Sequence, residues 1–368
     1  MKFIKGADLS TLLEVEANGG KFYDEGVLKD PFEILSDYGF NAVRLRLWND
    51  PYSPEGVSYG AGTCDYPVLL ATAKRALAAG WDFLLDLHYS DFWTDPGKQF
   101  KPKAWADFND EELAEAVHDF TRDTLKKLKE DGAYPIMIQV GNEVTNGLLW
   151  PNGLKPNYDN IAKFISAGIK GVREVDKELP VMIHLDNGGN NELYRDWFDN
   201  YCKRGEDFQV IGLSYYPFWH GSLEDLSNNM QDIAKRYGKE LIVAEVSMGF
   251  SMDDYKDYEK LSDEERKGYA TRHELAAKVP FPMTKEGQAD FMAHFLKVIK
   301  NVPENKGCGF YYWEPCWLPV PNSGWATKES LKYIQDPGPC GNEWANQALF
   351  DYEGNANPSL KTIRDFKA

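Results

Sequence analysis

Two short apolar runs in this sequence each lead to a glutamate. Residues 136–140 are followed shortly by Glu143, and residues 241–244 are followed by Glu245. A surface glutamate has little reason to end an apolar run, so both carboxylates are predicted at the ends of buried strands. Two carboxyl groups about 5 Å apart can cleave a glycosidic bond with retention of configuration, one as acid and base and the other as nucleophile. The pair therefore predicts a sugar-cleaving site, in which Asn142 could hydrogen-bond a sugar hydroxyl.

The elements that would position these carboxylates repeat along the chain as a β-rich run, a loop and an amphipathic helix. Eight such units, with no repeated antiparallel hairpins, predict a single α/β domain over residues 1–368, a (β/α)8 TIM barrel with long loops after strands seven and eight. The predicted strands cover residues 3–8, 41–47, 83–88, 136–143, 181–185, 209–214, 240–245 and 309–313. The predicted helices cover about 31–38, 68–79, 110–130, 157–175, 192–203, 223–237 and 284–301, with a short one after residue 358.

Composition excludes several classes of function. The 368 residues carry 58 Asp and Glu against 41 Lys and Arg, for a formal charge of −17 that would repel nucleic acid and acidic membranes. A neutral substrate is favoured over a polyanionic one for the same reason. No stretch approaches the roughly 18 consecutive apolar residues of a membrane helix. No glycine fingerprint of a dinucleotide or phosphate site follows any predicted strand.

The N-terminal residues and the cysteines bear on cellular location and redox state. The first eight residues already read as a strand, so we expect either an intracellular protein or one whose signal segment was removed. Five cysteines, with no Cys-x-x-Cys pair, are too few for a disulfide scaffold. A bridge between Cys316 and Cys340 is left open, because both lie in one segment rich in Pro and Gly. The other three cysteines are expected to be free thiols: Cys64, Cys202 and Cys308.

A zinc site is the alternative that strand-end histidines raise. His88 and His184 lie at the ends of predicted strands three and five, where some barrel hydrolases hold zinc. The chain has only six histidines, however, and its first strand has no His-x-His pair. No catalytic metal is therefore predicted.

Several motifs make the chain resemble a known family. The ends of strands four and seven, GNE at 141–143 and AE at 244–245, look like those of the clan of retaining glycoside hydrolases with acid/base and nucleophile at these positions. Within that clan the chain resembles glycoside hydrolase family 53, the arabinogalactan endo-β-1,4-galactanases. The matching stretches run in order along nearly the whole chain: GADLS at 6–10, NAVRLRLW at 41–48, HYSDFW at 88–93, DPGKQ at 95–99, GLSYYP at 212–217, YWEP at 312–315 and NQALFD at 346–351.

The resemblance implies a role for each carboxylate. Glu143 would be the acid/base and Glu245 the nucleophile, the former with a raised pKa and the latter kept ionised by a cation. We rank Arg44 first as that cation, with Arg46 as the alternative on the same face of strand two.

Further residues, most of them in these motifs, are expected around the sugar. Tyr216 should hydrogen-bond the nucleophile, with Tyr215 as the alternative. Trp313 should form the floor under the sugar at the cleavage point, and Trp93 should extend the stacking surface. Three polar side chains are interpreted as partners of sugar hydroxyls: His88, Asp91 and Asp186.

The chain departs from the family pattern in its last two large loops. Some bacterial relatives hold a structural calcium there, and Asp253, Asp254 and Asp257 lie in the corresponding region. A calcium site is kept as a hypothesis, although no ligand set can be matched residue by residue. Residues 326–341 look like an insertion, so the number of sugar subsites at that rim stays open.

The sequence thus predicts a retaining endo-β-1,4-galactanase that needs no cofactor and acts on β-1,4-galactan or type I arabinogalactan. The polymeric substrate indicates an extracellular or periplasmic protein, and a monomer is expected. The alternatives are another endo-glycosidase of the clan, a β-mannanase or β-glucanase, and a galactan-binding protein without activity. The presence of both carboxylates argues against the last of these.

Overall fold

Eight parallel strands close into a barrel in this computed structural model, which describes residues 2–253 and 272–368. Each strand pairs with its neighbours in sequence, and the first pairs with the last. The strands are β1 Ile4–Asp8, β2 Ala42–Leu47, β3 Asp82–Leu87, β4 Met137–Val140, β5 Val181–Leu185, β6 Val210–Tyr215, β7 Glu240–Val246 and β8 Gly307–Tyr312. The predicted (β/α)8 barrel is confirmed.

Eight helices alternate with the strands and cover the outside of the barrel. They are α1 Pro31–Asp37, α2 Tyr66–Ala78, α3 Asp110–Glu130, α4 Tyr158–Val175, α5 Asn191–Tyr201, α6 Leu223–Tyr237, α7 Lys285–Lys300 and α8 Ser359–Asp365. The first seven begin after an Asp, Asn, Ser or Thr whose side chain accepts a backbone N–H of the first turn. These caps explain why the helix starts were predicted to within two residues.

The interior of the barrel has an apolar lower half and a polar upper half. Residues near the N-terminal ends of the strands, such as Met137 and Met182, pack around Tyr311. Gly6 makes room for that ring, since a Cβ there would lie 2.2 Å from it. Buried polar side chains, among them Asp8 and Arg44, lie closer to the C-terminal ends. The functional residues therefore stand on a filled core, at the barrel face where the βα loops begin.

Two strand ends differ from prediction beside the predicted site. β4 ends at Val140, so the prediction that this strand extends to Glu143 is wrong. Gly141 and Glu143 have φ values of 81° and 46°, which turn the chain out of the strand direction. β8 ends at Tyr312, which makes Trp313 the first residue beyond the strand. Both changes place the side chains in loops that are anchored directly to the barrel.

Short elements also form in the loops between the strands and helices of the barrel. They are the hairpins Phe22–Asp24 with Val27–Lys29 and Gly147–Leu148 with Gly153–Leu154, and the helices Leu12–Ala17, His273–Ala276 and Lys328–Ile334. The last helix belongs to the apparent insertion at 326–341. Its Tyr333 stacks on Tyr59 of the loop after β2, with ring centroids 5.1 Å apart. The insertion thus packs against the rim of the barrel.

The remaining expectations concern cysteines, calcium and membranes. All five cysteines are free thiols, and the bridge left open between Cys316 and Cys340 is not formed: Cys316 is buried and Cys340 exposed. Of the carboxylates considered for calcium, Asp254 and Asp257 lie outside the described residues, and Asp253 is exposed. Within the described part of the chain, no helix has the length and apolar character that crossing a bilayer would require.

Candidate active site

The two predicted carboxylates meet in a pocket at the C-terminal end of the barrel. Carboxylate oxygens of Glu143 and Glu245 and a ring nitrogen of His184 all lie within 4.8 Å of one another. Glu143 is 8% exposed and Glu245 is 6% exposed, and both line the pocket. The separation falls in the range at which one carboxyl can attack a sugar carbon while the other protonates the leaving oxygen.

Glu245 is held by a cation and a phenol. Arg44 Nη1 lies 2.9 Å from Glu245 Oε1, and the hydroxyl of Tyr216 donates to Oε2 at 2.7 Å. Burial raises the pKa of Glu245, while Arg44 and Tyr216 act in the opposite direction by stabilising the carboxylate. Of the two candidates on β2, Arg44 is the one that the structure places beside Glu245.

Arg44 is also the centre of a wider buried network. Its guanidinium pairs with Asp8 at 3.0 Å and Asp86 at 2.8 Å, and it donates to Asn142 Oδ1 at 2.8 Å. With three carboxylates around it and no exposure to solvent, the arginine stays charged. It therefore fixes the position of Glu245 and of the residue that precedes Glu143.

The surroundings of Glu143 favour the protonated form of its carboxyl group more than those of Glu245 do. Burial raises its pKa well above the ordinary value, and the nearby carboxylates of Glu245 and Asp186 raise it further. The Ser214 hydroxyl lies 2.6 Å from Glu143 Oε1, and a hydrogen bond that it donates to the ionised carboxylate acts to lower that pKa. Gln99 fixes the backbone, because its amide donates to the carbonyl oxygens of Asn142 and Glu143 at 2.8 and 3.2 Å. The carboxyl is thus held in a position that favours its protonated form.

Both the nitrogen and the oxygen of the Asn142 side-chain amide form hydrogen bonds. Its Nδ2 donates to the carbonyl oxygen of Thr94 at 2.8 Å, while its Oδ1 accepts from Arg44 and, at 3.2 Å, from Gln139. One Nδ2 hydrogen remains for a sugar hydroxyl, and the residue lines the pocket.

Two of the predicted residues form contacts within the protein and not with the pocket. The hydroxyl of Tyr215 donates to the carbonyl oxygen of Gly221, and its ring stacks on helix α7, so it is wrong as a partner of Glu245. Asp91 accepts from the backbone N–H groups of Asp50 and Lys103 and holds two loops together, which contradicts its assignment as a sugar partner. Its carboxylate satisfies loop amides that a motif alone does not reveal.

His88 and Asp186 have protein partners at the positions expected to bind sugar. His88 lines the pocket, but its Nδ1 accepts from the Thr94 N–H at 3.1 Å and its Nε2 lies 3.1 Å from Asp86. Asp186 accepts from the Thr145 hydroxyl at 2.6 Å and from Asn187. Burial raises the pKa of Asp186. Any contact of His88 with sugar must therefore come from its ring edge.

The three residues that could together bind a metal at the pocket include His184, whose two ring nitrogens already have hydrogen-bond partners. His184 Nδ1 lies 3.0 Å from Asn142 Oδ1, and its Nε2 lies 2.9 Å from Ser214 Oγ. A metal bound by His184 with Glu143 and Glu245 would cost one of these buried hydrogen bonds. The donor set therefore fits the hydrogen-bonding role better than a metal site.

Tryptophans form the walls of the pocket. Trp313 packs 5.8 Å from Trp93 and 4.9 Å from Trp344, and Trp219 continues the surface 5.9 Å from Trp344. Trp219 and Trp344 were not predicted, because they come from long loops whose paths carry no periodic signal. Such an aromatic surface suits the apolar face of a sugar ring.

Arg46 supports this aromatic wall. Its guanidinium lies 4.3 Å from the centre of the Trp93 ring and pairs with Asp8 at 3.0 Å and Glu314 at 2.7 Å. Burial raises the pKa of Glu314 to about 8, against the effect of Arg46. Glu314 also accepts from the Thr11 hydroxyl. Asp8 and Glu314 were not predicted as site residues, although both lie in motifs that carry the resemblance.

The barrel, with one carboxylate just after strand four and its partner on strand seven, defines the protein as a glycoside hydrolase. Residues 4–363 match glycosyl hydrolase family 53, and the chain belongs to this family.

Similar proteins agree with this assignment along the whole chain. An endo-β-1,4-galactanase of Bacillus subtilis is 33% identical, over 98% of this chain and 85% of the relative. An arabinogalactan endo-β-1,4-galactanase of Cellvibrio japonicus is 32% identical, over 100% of this chain and 91% of the relative. The solved family 53 catalytic domain of Ignisphaera aggregans is 38% identical, with a TM-score of 0.89 over 99% of this chain and 96% of that one.

Proposed function

We propose that this chain hydrolyses β-1,4-galactosidic linkages inside galactan chains by double displacement, with retention of configuration. The observation that carries the proposal is the approach of Glu143 and Glu245 to within 4.8 Å at the barrel end of a family 53 chain. The galactanases named above, which the chain resembles over nearly their full length, support galactan as the substrate.

Glu245 is the nucleophile in this proposal. Arg44 and Tyr216 stabilise its carboxylate against the effect of burial and fix one lone pair of each oxygen, which leaves it oriented towards the anomeric carbon. Attack forms a bond between a carboxylate oxygen and that carbon as the glycosidic C–O bond breaks. The result is a covalent glycosyl-enzyme.

Glu143 supplies and then recovers the proton. Its raised pKa keeps it protonated in the resting enzyme, so it can protonate the departing oxygen in the first step. The carboxylate that remains then takes a proton from water, whose oxygen attacks the anomeric carbon and releases Glu245. Two inversions at one carbon give net retention.

The aromatic wall positions the polysaccharide. A galactose ring stacked on Trp313, with further rings along Trp93 or along Trp344 and Trp219, would be held with its linkage over the carboxylates. Asn142 would donate its free hydrogen to a sugar hydroxyl beside the reacting carbon.

We also propose that the chain acts as a secreted, monomeric, single catalytic domain. A galactan polymer must be met outside the cell, and the charge of −17 favours dispersion in solution. The mechanism above is complete with two carboxylates, so it calls for no cofactor. The structural calcium considered from Asp253, Asp254 and Asp257 is tested by calorimetric titration of chelator-treated protein, where the absence of binding heat removes it.

Substrate assays test the proposal directly. Reducing-sugar release should be strong on potato galactan and weak on mannan and carboxymethylcellulose. Activity on only the latter two would assign the chain to another specificity of the clan. The Glu245→Gln variant should lose turnover while still retaining galactan in an affinity gel, and undiminished turnover would refute the role of Glu245.

A further inference from the structure

A buried chain of hydrogen-bonding groups runs from Glu143 through Ser214 and His184 to Asn142. Ser214 Oγ lies 2.6 Å from Glu143 Oε1 and 2.9 Å from His184 Nε2, and His184 Nδ1 lies 3.0 Å from Asn142 Oδ1. All four residues are more than nine-tenths buried. A serine hydroxyl has one hydrogen, so Ser214 can donate to only one of its two neighbours at a time.

Arg44 determines the direction of this chain at its far end. An arginine can only donate, so the Asn142 atom that it contacts at 2.8 Å must be the amide oxygen. The other end of the amide agrees, since Nδ2 donates to the carbonyl oxygen of Thr94 at 2.8 Å. Asn142 Oδ1 is therefore an acceptor, and His184 Nδ1 must carry a hydrogen to bond it.

His184 cannot easily carry a second hydrogen. Burial lowers its pKa well below the ordinary value, and the nearby Arg44 cation lowers it further, against the smaller effect of Asp86. His88 and His220 also act to lower its pKa, and the carboxyl groups of Glu143 and Glu245 lie within 4.8 Å of a ring nitrogen. With hydrogen on Nδ1, the neutral ring presents a lone pair at Nε2, for which Ser214 is the donor.

We propose that Ser214 is a positioning residue that stores the acid proton of Glu143: its hydroxyl donates to His184 and accepts the carboxylic hydrogen of Glu143 in the resting enzyme. All donors and acceptors of the chain are satisfied only when Glu143 is protonated. An ionised Glu143 would face a Ser214 lone pair across 2.6 Å unless the hydroxyl turned towards it. That turn would leave His184 Nε2 without its donor.

For catalysis, the carboxylic hydrogen of Glu143 must leave Ser214, and rotations of the carboxyl and hydroxyl groups release it. When substrate binds, the Glu143 carboxyl turns about its Cγ–Cδ bond and presents its O–H to the glycosidic oxygen. The Ser214 hydroxyl turns at the same time and donates to the carboxyl oxygen that now faces it. The proton leaves with the departing sugar as Glu245 bonds to the anomeric carbon, and the water of the second step returns a proton to Glu143. The inference rests on the proposed function, because it takes Glu143 to be the acid.

The Ser214→Ala variant distinguishes two roles of the serine: accepting the carboxylic hydrogen of Glu143, or donating its own hydrogen to the Glu143 carboxylate. Storage stabilises the neutral carboxyl, so its loss should move the alkaline limb of the kcat/KM profile about 0.5–1 pH unit lower, a three- to tenfold change in proton affinity. A serine that donated to the carboxylate would give the opposite shift. The other groups that face Glu143 are unchanged by the substitution: Glu245, Asp186, Asp95, Tyr194 and Tyr216.

Two further variants act as controls. Ser214→Thr keeps the hydroxyl and should restore the wild-type limb. Ser247→Ala removes a hydroxyl that is equally buried but lies 3.2 Å from Gln347 Oε1, so it should leave the limb in place. An alkaline limb that stays or rises in Ser214→Ala would overturn the proposal.

Nitrogen-15 NMR of the wild-type protein, labelled at its histidines, measures which ring nitrogen of His184 carries the hydrogen and does not depend on turnover. The chain has six histidines, and the His184 signal is assigned by its loss in His184→Asn. We expect a protonated Nδ1 and a bare Nε2, and the Nε2 resonance should shift when a 2-deoxy-2-fluoro-galactoside traps the covalent intermediate. A hydrogen on Nε2 of the resting enzyme would refute storage. An inactive wild-type protein with the expected tautomer would instead refute the proposed function alone.

Discussion

Arg44 and Arg46 lie two residues apart on β2, and both are buried, yet they serve different parts of the pocket. Arg44 contacts Glu245, whereas Arg46 lies against Trp93 and pairs with Glu314. Strand alternation places both side chains in the barrel, and their depth separates them. Asp8 joins the two groups, with Oδ2 on Arg44 and Oδ1 on Arg46, each at 3.0 Å.

The difference shows how similar buried charges can support different tasks. The carboxylates around Arg44 must stay ionised if one of them is to attack a sugar. Glu314 beside Arg46 has a pKa raised to about 8, so it is mostly protonated at pH 7 and leaves no full buried charge when its partner is removed. We infer that the Arg44 group supports the reaction and the Arg46 group supports the aromatic wall.

The largest effect is expected from Arg44→Met. The substitution leaves Glu245 and Asp86 buried without their cation, which should lower the free energy of unfolding by about 3–5 kcal/mol and kcat/KM by more than about 10³-fold. Urea denaturation and galactan kinetics measure the two effects. Arg46→Met is the matched control, and it should cost less stability at pH 7 because Glu314 is already mostly protonated there. Equal losses in both variants would contradict the division.

The second-largest effect is expected from Glu143→Gln, whose loss of kcat/KM should depend on the leaving group of the substrate. On galactan, kcat/KM should fall by about 10²–10⁴-fold because no acid protonates the departing oxygen. On an aryl galactobioside whose phenolate leaves unaided, the first step should be much less affected. Glu245→Gln should lose both activities. A loss in Glu143→Gln that is the same for both substrates would remove its role as acid.

Trp313→Ala tests the aromatic wall, and a smaller change in the kinetic constants is expected. Loss of the stacking surface should raise KM about 5- to 30-fold, corresponding to about 1–2 kcal/mol, with less effect on kcat. Steady-state kinetics on galacto-oligosaccharides of defined length measures this split. Trp313→Phe keeps an aromatic face and should recover part of the affinity. A fall confined to kcat would place Trp313 with the reacting groups instead.

The smallest effect is expected from Glu314→Gln, and it concerns the pH dependence of stability. The folded-state pKa of about 8 exceeds the ordinary value of 4.5, so the folded protein binds a proton here that the unfolded chain has lost. This contribution is complete below about pH 4.5 and disappears as the pH rises through 8. Denaturation midpoints from pH 5 to 8 should therefore fall less in Glu314→Gln than in wild type. An unchanged slope would show that Glu314 ionises normally.

The barrel could be predicted because its signal is periodic and repeated eight times. Helix starts were accurate where a polar cap precedes an amphipathic run, as at Asn109 and Ser222. Strand ends were less accurate, since the turn at Gly141 depends on backbone angles rather than on hydrophobicity. The apolar run placed Glu143 at the end of strand four, whereas the structure places it in the loop beyond Val140.

Side-chain partners were only partly predictable. Tyr216 donates to Glu245, while its neighbour Tyr215 packs against helix α7, and the sequence pattern left both as candidates. Asp91 looked like a sugar partner because a motif residue near a strand end often is one. Its role as an acceptor for loop amides, and the arrival of Trp344 from a distant loop, depend on loop paths that pattern alone cannot supply.

The configuration of the first product tests the central claim most directly. Proton NMR can follow the anomeric signals of galacto-oligosaccharide as the enzyme cleaves it, before mutarotation mixes the anomers. Two carboxylates within 4.8 Å predict that the β-anomer appears first and the α-anomer only later. Initial release of the α-anomer would mean a single displacement by water and would contradict the assignment of Glu245 as nucleophile.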